Sequence, residues 1–131
     1  MPVDPDSKGA ASPAATRAAV LAHLDAFNAH STDRLIAGLH EDVVWATGSD
    51  VFQGVRQLRD DVFDQGLWAM QPSLAVRTLL AEEETAAAVL REVLVVQEER
   101  REFDIAVFFT VGGGLIRTVT VFREGSADIR S

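Results

Sequence analysis

The 131-residue sequence has no cysteine and no tyrosine. Without cysteine the chain cannot form a disulfide, a thiolate metal site or a cysteine nucleophile. This composition fits a reducing compartment, and we expect the protein to be cytoplasmic. Without tyrosine there is no phenolic hydroxyl to act as a buried hydrogen-bond donor.

Positive charge is also scarce, since the sequence has 12 Lys and Arg residues but 20 Asp and Glu residues, which gives a net charge of -8. Binding to nucleic-acid phosphates needs a basic surface, and the scattered cations here offer none, so nucleic acid is not an expected partner. No apolar run approaches the ~20 residues that cross a bilayer. The first residues also lack the features of a signal peptide, so no membrane association is expected.

Apolar residues make up 47% of the sequence, which is enough for one folded domain of this length. Three of the four prolines lie among residues 1–13, together with aspartate and glycine. We therefore predict a disordered tail over residues 1–13 and a single domain over residues 14–131.

The first half of the domain has helical patterning. Val20, Leu24 and Phe27 recur at the spacing of one helical face, which predicts a helix over residues 14–29. Shorter elements are predicted to follow: a helix capped by Ser31 or Thr32, strands at 43–47 and 51–52, and a helix after Gly54.

From residue 73 onward the pattern changes to four strands separated by charged or glycine-rich turns. They are predicted at residues 74–80, 86–97, 102–111 and 115–123. Helices followed by consecutive strands indicate an α+β fold, with the helices on one face of a curved antiparallel sheet.

Two of these strands lack the alternation of a half-buried strand. Only Arg91 and Glu92 interrupt the apolar run over residues 86–96, and Asp104 is the one charge over residues 103–109. Both faces should therefore be covered, one by the helices and the other by a second copy in a homodimer formed through the sheet. A single chain with a partly apolar exposed sheet is the alternative.

His23 is the first candidate for chemistry, because it lies on the apolar face of the first helix between Val20 and Phe27. An imidazole with an unperturbed pKa of about 6.5 can act as a general acid or base near neutral pH. The alternative is a histidine at the edge of the core, satisfied by one hydrogen bond.

Asp104 and Arg91 are candidates because each is a charge within an apolar strand. Asp104 could act as an acid or donor if it faces a pocket with Phe108, or it could pair with Arg100 or Arg101. Arg91 could bind an anionic group of a ligand, or it could pair with an acid across the sheet.

Apolar and aromatic residues could form the wall of a ligand pocket, although most such residues are simply core. The predicted substrate-binding residues are Phe27, Trp45, Thr47, Phe63, Trp68, Met70, Arg91 and Phe108. No metal or cofactor is predicted, since His40-Glu41-Asp42 has no second histidine at ligand spacing and the glycines at 112–114 lie between strands.

Three segments, residues 26–45, 52–59 and 103–122, resemble the SnoaL-like branch of the nuclear transport factor 2-like superfamily. The first segment contains a helix that ends at Asn28 and an acidic turn that leads into a strand. The second contains an aromatic-x-Gly sequence before a helix. The third contains a hairpin with a glycine turn. The resemblance implies a cone-shaped, cystatin-like α+β barrel, a pocket between the sheet and the first and third helices, and frequent homodimers. Members of this fold include isomerases, cyclases, dehydratases, epoxide hydrolases and non-catalytic association domains.

The catalytic residues of known branches carry over poorly. This chain has His23 at the position where the ketosteroid isomerase branch has a tyrosine. The position of that branch's carboxylate base is occupied here by Thr47. The second acid of that branch falls near Asp104, while the acid of the epoxide hydrolase branch falls near Val121. We therefore expect a small hydrophobic ligand in an internal pocket, with acid/base catalysis by His23 and Asp104. A non-catalytic binding or association domain is the alternative.

Overall fold

The structure is a computed structural model that describes residues 12–124. The tail predicted for residues 1–13 lies outside this range except for Ser12 and Pro13. The helical elements are α1 (Pro13–Asn28), α2 (Thr32–Ala37), α3 (Val55–Leu58), a π-helix (Arg59–Leu67) and a 3₁₀ turn (Trp68–Met70). The strands are β1 (Leu39–Thr47), β2 (Asp50–Gln53), β3 (Ser73–Ala81), β4 (Thr85–Val96), β5 (Glu99–Gly112) and β6 (Leu115–Arg123).

Helix α1 follows directly from its sequence. The Ser12 hydroxyl accepts a hydrogen bond from the Ala15 amide at 3.0 Å, and Pro13 occupies a position at the helix start where its missing N–H costs nothing. Its predicted apolar face is buried and packs across β3, β4 and β5. This helix therefore covers one face of the sheet.

The six strands form one curved, unclosed sheet in the order β2-β1-β6-β5-β4-β3. Strands β3 to β6 pair with their neighbours in antiparallel fashion, as predicted, whereas β1 pairs in parallel with β6. The predicted α+β class with a cone-like sheet around the helices is confirmed. The parallel pairing makes the sheet mixed, and it brings the end of β1 beside the end of β6.

The face of the sheet that packs on the helices, here called the inner face, carries the core. Leu90, Val107, Phe109 and Val119 are at most 3% exposed. The opposite, outer face carries large apolar side chains that are exposed: Val51, Leu80, Val89, Phe108 and Phe122.

The helix predicted after Gly54 is α-helical for only one turn before it widens into the π-helix. The backbone leaves helical geometry at Gln65 and at Gly66, which has a φ of 87°, so the chain bends before Leu67. Val62 and Leu67, on either side of this bend, both line the cavity described below. Among the described residues, no helix has both the length and the apolar character needed to cross a membrane.

Candidate ligand-binding site

A cavity of about 460 Å³ lies between the inner face of the sheet, helix α1 and the π-helix. This volume is within the range of small-molecule sites. Its apolar wall consists of Leu24, Phe27, Trp45, Val62, Phe63, Leu67, Leu74, Leu90, Ile105, Val107, Phe109, Val119 and Val121. Its polar lining consists of His23, Thr47, Gly48, Ser49, Asp50, Glu92 and Arg123.

His23 is buried at one end of this cavity. Its ring centroid lies 5.6 Å from that of Trp45 and 5.7 Å from that of Phe109, and Nδ1 has no hydrogen-bond partner. Burial lowers the pKa of His23 to about 4, because the cationic imidazolium is poorly solvated there. The ring is therefore neutral at pH 7, with one nitrogen able to donate and the other able to accept.

An ion pair with a buried carboxylate lines the cavity at a different position. Arg123 Nε donates to Glu92 Oε1 at 2.7 Å, and Arg123 Nη2 donates to Glu92 Oε2 at 3.2 Å. The Glu92 side chain is only 7% exposed, whereas that of Arg123 is 31% exposed. The guanidinium also lies 6.0 Å from the Phe103 ring centroid. This bidentate pair bridges β4 and β6 across β5.

The strand register separates this pair from His23. Arg123 lies opposite Ile105 on β5, while His23 packs on Phe109, four residues along the same strand. At about 3.4 Å per residue, the two rows are on the order of 13 Å apart. The cavity therefore has an apolar wall between two separate polar positions.

The turn after β1 adds exposed polar groups to the cavity near the ion pair. Thr47 pairs with Val121 in the parallel register, so the turn that follows Thr47 lies on the same side as Arg123. Ser49 in this turn and Asp50 at the start of β2 are exposed and line the cavity. We take this turn as the mouth of the cavity.

Five of the residues predicted from sequence come together in this cavity: His23, Phe27, Trp45, Thr47 and Phe63. Two others, Trp68 and Met70, lie outside its lining. Trp68 packs on Phe27 and Phe63 at centroid distances of 5.3 and 6.1 Å, and its indole N–H donates to Thr32 Oγ1 at 2.9 Å. Trp68 therefore supports the cavity wall from behind.

The remaining predicted residues, Asp104, Arg91 and Phe108, require correction because they lie on the outer face. Arg91 Nη1 donates to Asp104 Oδ1 at 3.0 Å, and Arg77 Nη1 donates to the same oxygen at 3.3 Å. The hydrogen bond with Asp104 raises the pKa of Arg91. Phe108 is 49% exposed. The sheet thus separates Asp104 from His23, and the pair cannot share a ligand atom.

Glu92 and Arg123 are the functional candidates that sequence reasoning missed. Glu92 follows Arg91 directly, so the choice between them depended on which face of β4 is the inner one. Ala86, Ala88 and Leu90 are buried and share strand parity with Glu92. Because both faces of this strand are apolar, the sequence pattern carries no signal of that parity.

Within residues 12–124, no group of three or more His, Asp or Glu side chains is arranged to hold a metal ion.

This combination of helices, a curved six-stranded sheet and a cavity between them defines an α+β barrel of the nuclear transport factor 2-like type. The family model of the SnoaL-like domain matches residues 20–119, and the chain belongs to that family. No curated protein matches the sequence.

Solved structures support the fold. A proposed ketosteroid isomerase from Kribbella flavida DSM 17836 is 27% identical, with a TM-score of 0.74 over 88% of this chain and 82% of that chain. A proposed polyketide cyclase from Silicibacter sp. TM1040 is 19% identical, with a TM-score of 0.75 over 91% and 96%. An LEH-like epoxide hydrolase from M. tuberculosis is 22% identical, with a TM-score of 0.73 over 86% and 84%.

Proposed function

We propose that this protein binds a small, largely apolar molecule in the cavity, with His23 making a buried hydrogen bond to it. Two observations carry the proposal: His23 lines a cavity whose wall is mostly apolar, and the buried Nδ1 of the same ring has no hydrogen-bond partner. Leaving a buried polar atom without a partner costs about 1–3 kcal/mol. A ligand that supplies the missing partner recovers that free energy on binding.

The two tryptophans of the chain allow a direct test. Trp45 lines the cavity, whereas Trp68 packs behind its wall. We expect neutral aromatic fragments to shift the indole N–H signal of Trp45 in ¹⁵N-correlated NMR spectra more than that of Trp68. Trp45→Phe and Trp68→Phe assign the two signals, and His23→Leu should weaken binding about tenfold for fragments that pair with Nδ1. Fragments that leave the Trp45 signal unmoved would contradict the proposal.

A second candidate is an acid/base enzyme, namely an isomerase, cyclase or dehydratase, and the buried imidazole favours it. With its pKa lowered to about 4, His23 is unprotonated at pH 7 and would begin a reaction as the proton acceptor. The structural relatives include a proposed isomerase, a proposed cyclase and an epoxide hydrolase, which is consistent with this candidate. The absence of tyrosine and the presence of Thr47 favour the non-catalytic alternative.

Deuterium exchange separates these two candidates. A cyclic ketone that shifts Trp45 should exchange its α-protons in D₂O faster with the protein than without it, and His23→Gln should remove the acceleration. Asp104→Asn, on the outer face, is the matched control and should leave the rate unchanged. Ketone binding without faster exchange of the α-protons would favour a non-catalytic binding domain.

We also propose a homodimer formed through the outer face of the sheet. Val89, Phe108 and Phe122 are 40%, 49% and 54% exposed and lie on adjacent strands, with the two phenylalanine rings 5.9 Å apart. A continuous apolar patch of this kind on a folded domain indicates an interaction surface. Sedimentation at micromolar concentration should give twice the 14.2 kDa chain mass, and Phe108→Glu should give the monomer mass. A wild-type monomer would refute this proposal.

The cytoplasm remains the proposed location, on the basis of the cysteine-free composition. Fractionation of cells that express the full chain, with cytoplasmic and exported marker proteins as controls, tests it.

A further inference from the structure

The carboxylate of Glu92 has unused capacity to accept hydrogen bonds. An ionised carboxylate offers about four acceptor positions, and the bidentate contact with Arg123 uses one on each oxygen. Among the described residues, Arg123 is the side chain that donates to Glu92. Because Glu92 is buried and lines the cavity, a ligand is well placed to donate a further hydrogen bond to it.

The charges around the cavity point to the same class of ligand. Arg123 is the one cation among the described lining residues, and Glu92 already neutralises it. Asp50 adds a negative charge at the mouth, and the imidazole of His23 is neutral at pH 7. An anionic ligand would therefore meet a lining of net negative charge, with no free cation to pair with.

We propose that Glu92 is the specificity-determining residue of this cavity, and that together with Arg123 it selects neutral ligands bearing a hydroxyl group over carboxylates of the same shape. The hydroxyl donates to a free acceptor position of Glu92, while the apolar part of the ligand lies against the aliphatic and aromatic wall. This inference rests on the proposed binding function and names the ligand class of the same cavity.

Two probes of similar shape test the inference on the unmodified protein. We expect 4-phenylbutan-1-ol to bind at least about tenfold more tightly than 4-phenylbutanoate at pH 7, by calorimetry or by titration of the Trp45 indole signal. Equal affinity would overturn the charge selection while leaving cavity binding intact. If neither probe shifts the Trp45 signal, the proposed binding function fails together with this inference.

Substitution of Glu92 identifies the residue responsible. Glu92→Gln keeps the side-chain shape but frees the charge of Arg123, so the preference for the alcohol should fall by about tenfold or reverse. Glu102→Gln is the matched control, because it removes the same charge from a carboxylate that pairs with Arg91 and Arg100 on the outer face. An unchanged preference in Glu92→Gln, or an equal change in both variants, would overturn the inference. If Glu92→Gln fails to fold, the double variant Glu92→Gln, Arg123→Gln removes both charges of the pair, and the preference for the alcohol should fall in it as well; an unchanged preference would overturn the inference.

Discussion

Arg91 and Glu92 are neighbours in the sequence, yet each forms an ion pair in a different environment. Arg91 reaches across the outer face to Asp104, where the two side chains are 36% and 40% exposed. Glu92 reaches across the inner face to Arg123 and is 7% exposed. The two arginines are similarly exposed, Arg123 at 31% and Arg91 at 36%, so the difference lies in the carboxylates: that of Asp104 is solvated and that of Glu92 is enclosed.

Burial, more than charge pairing itself, determines what an ion pair contributes to stability. Exposed pairs are screened by water and are each worth at most about 1 kcal/mol. In a buried pair, each partner depends on the other, because an unpaired charge has no solvent to replace it. The inner pair should therefore affect both the free energy of unfolding and the choice of ligand. The outer pair should have little effect on either.

The largest effect should come from breaking the inner pair. Arg123→Leu leaves the Glu92 carboxylate buried without a cation, and we expect the free energy of unfolding to fall by about 3–5 kcal/mol. Urea denaturation followed by tryptophan fluorescence measures the change. Arg91→Leu is the outer counterpart and should cost much less, since Asp104 keeps Arg77 and solvent as partners. Equal losses in the two variants would show that the faces do not differ in this way.

Lowering the pH should destabilise the folded protein, because it favours protonation of the buried His23. Its pKa in the folded protein is about 4, below the value of about 6.5 that it has in an unfolded chain. The unfolded state therefore binds more protons across this window, and stability is present above about pH 6.5 and is lost as the pH falls towards 4. We expect a loss of about 2 kcal/mol between pH 7.5 and 5.

His23→Leu isolates this contribution from the titration of carboxylates. The variant has no group at this position to protonate, so its stability should change less than that of the wild type over the same range of pH. Identical pH profiles for the two proteins, measured by urea denaturation, would contradict the burial of a neutral imidazole.

Local patterns were sufficient for much of the fold. The apolar face of α1 and the turns after residue 72 predict their elements within a few residues. The same apolar face points to His23, and the family resemblance adds that the tyrosine position of one branch falls on His23 and its base position on Thr47. The face assignments of β4 and β5 could not be predicted in the same way. A strand that is apolar on both sides lacks the alternation that marks its inner face, and a shift of one residue exchanges Glu92 for Arg91. The parallel contact of β1 with β6 joins distant parts of the chain, which no local pattern encodes.

The smallest effect concerns a neutral polar contact on the outer face. The hydroxyls of Thr110 and Thr118 are 2.6 Å apart across β5 and β6. Thr110→Val should cost about 1 kcal/mol, because it removes one partner and leaves the other without it. The double variant Thr110→Val, Thr118→Val removes both hydroxyls, and its stability in urea should return close to that of the wild type. If the two losses simply add, the two hydroxyls are independently solvated, and neither depends on its partner in the way that Glu92 depends on Arg123.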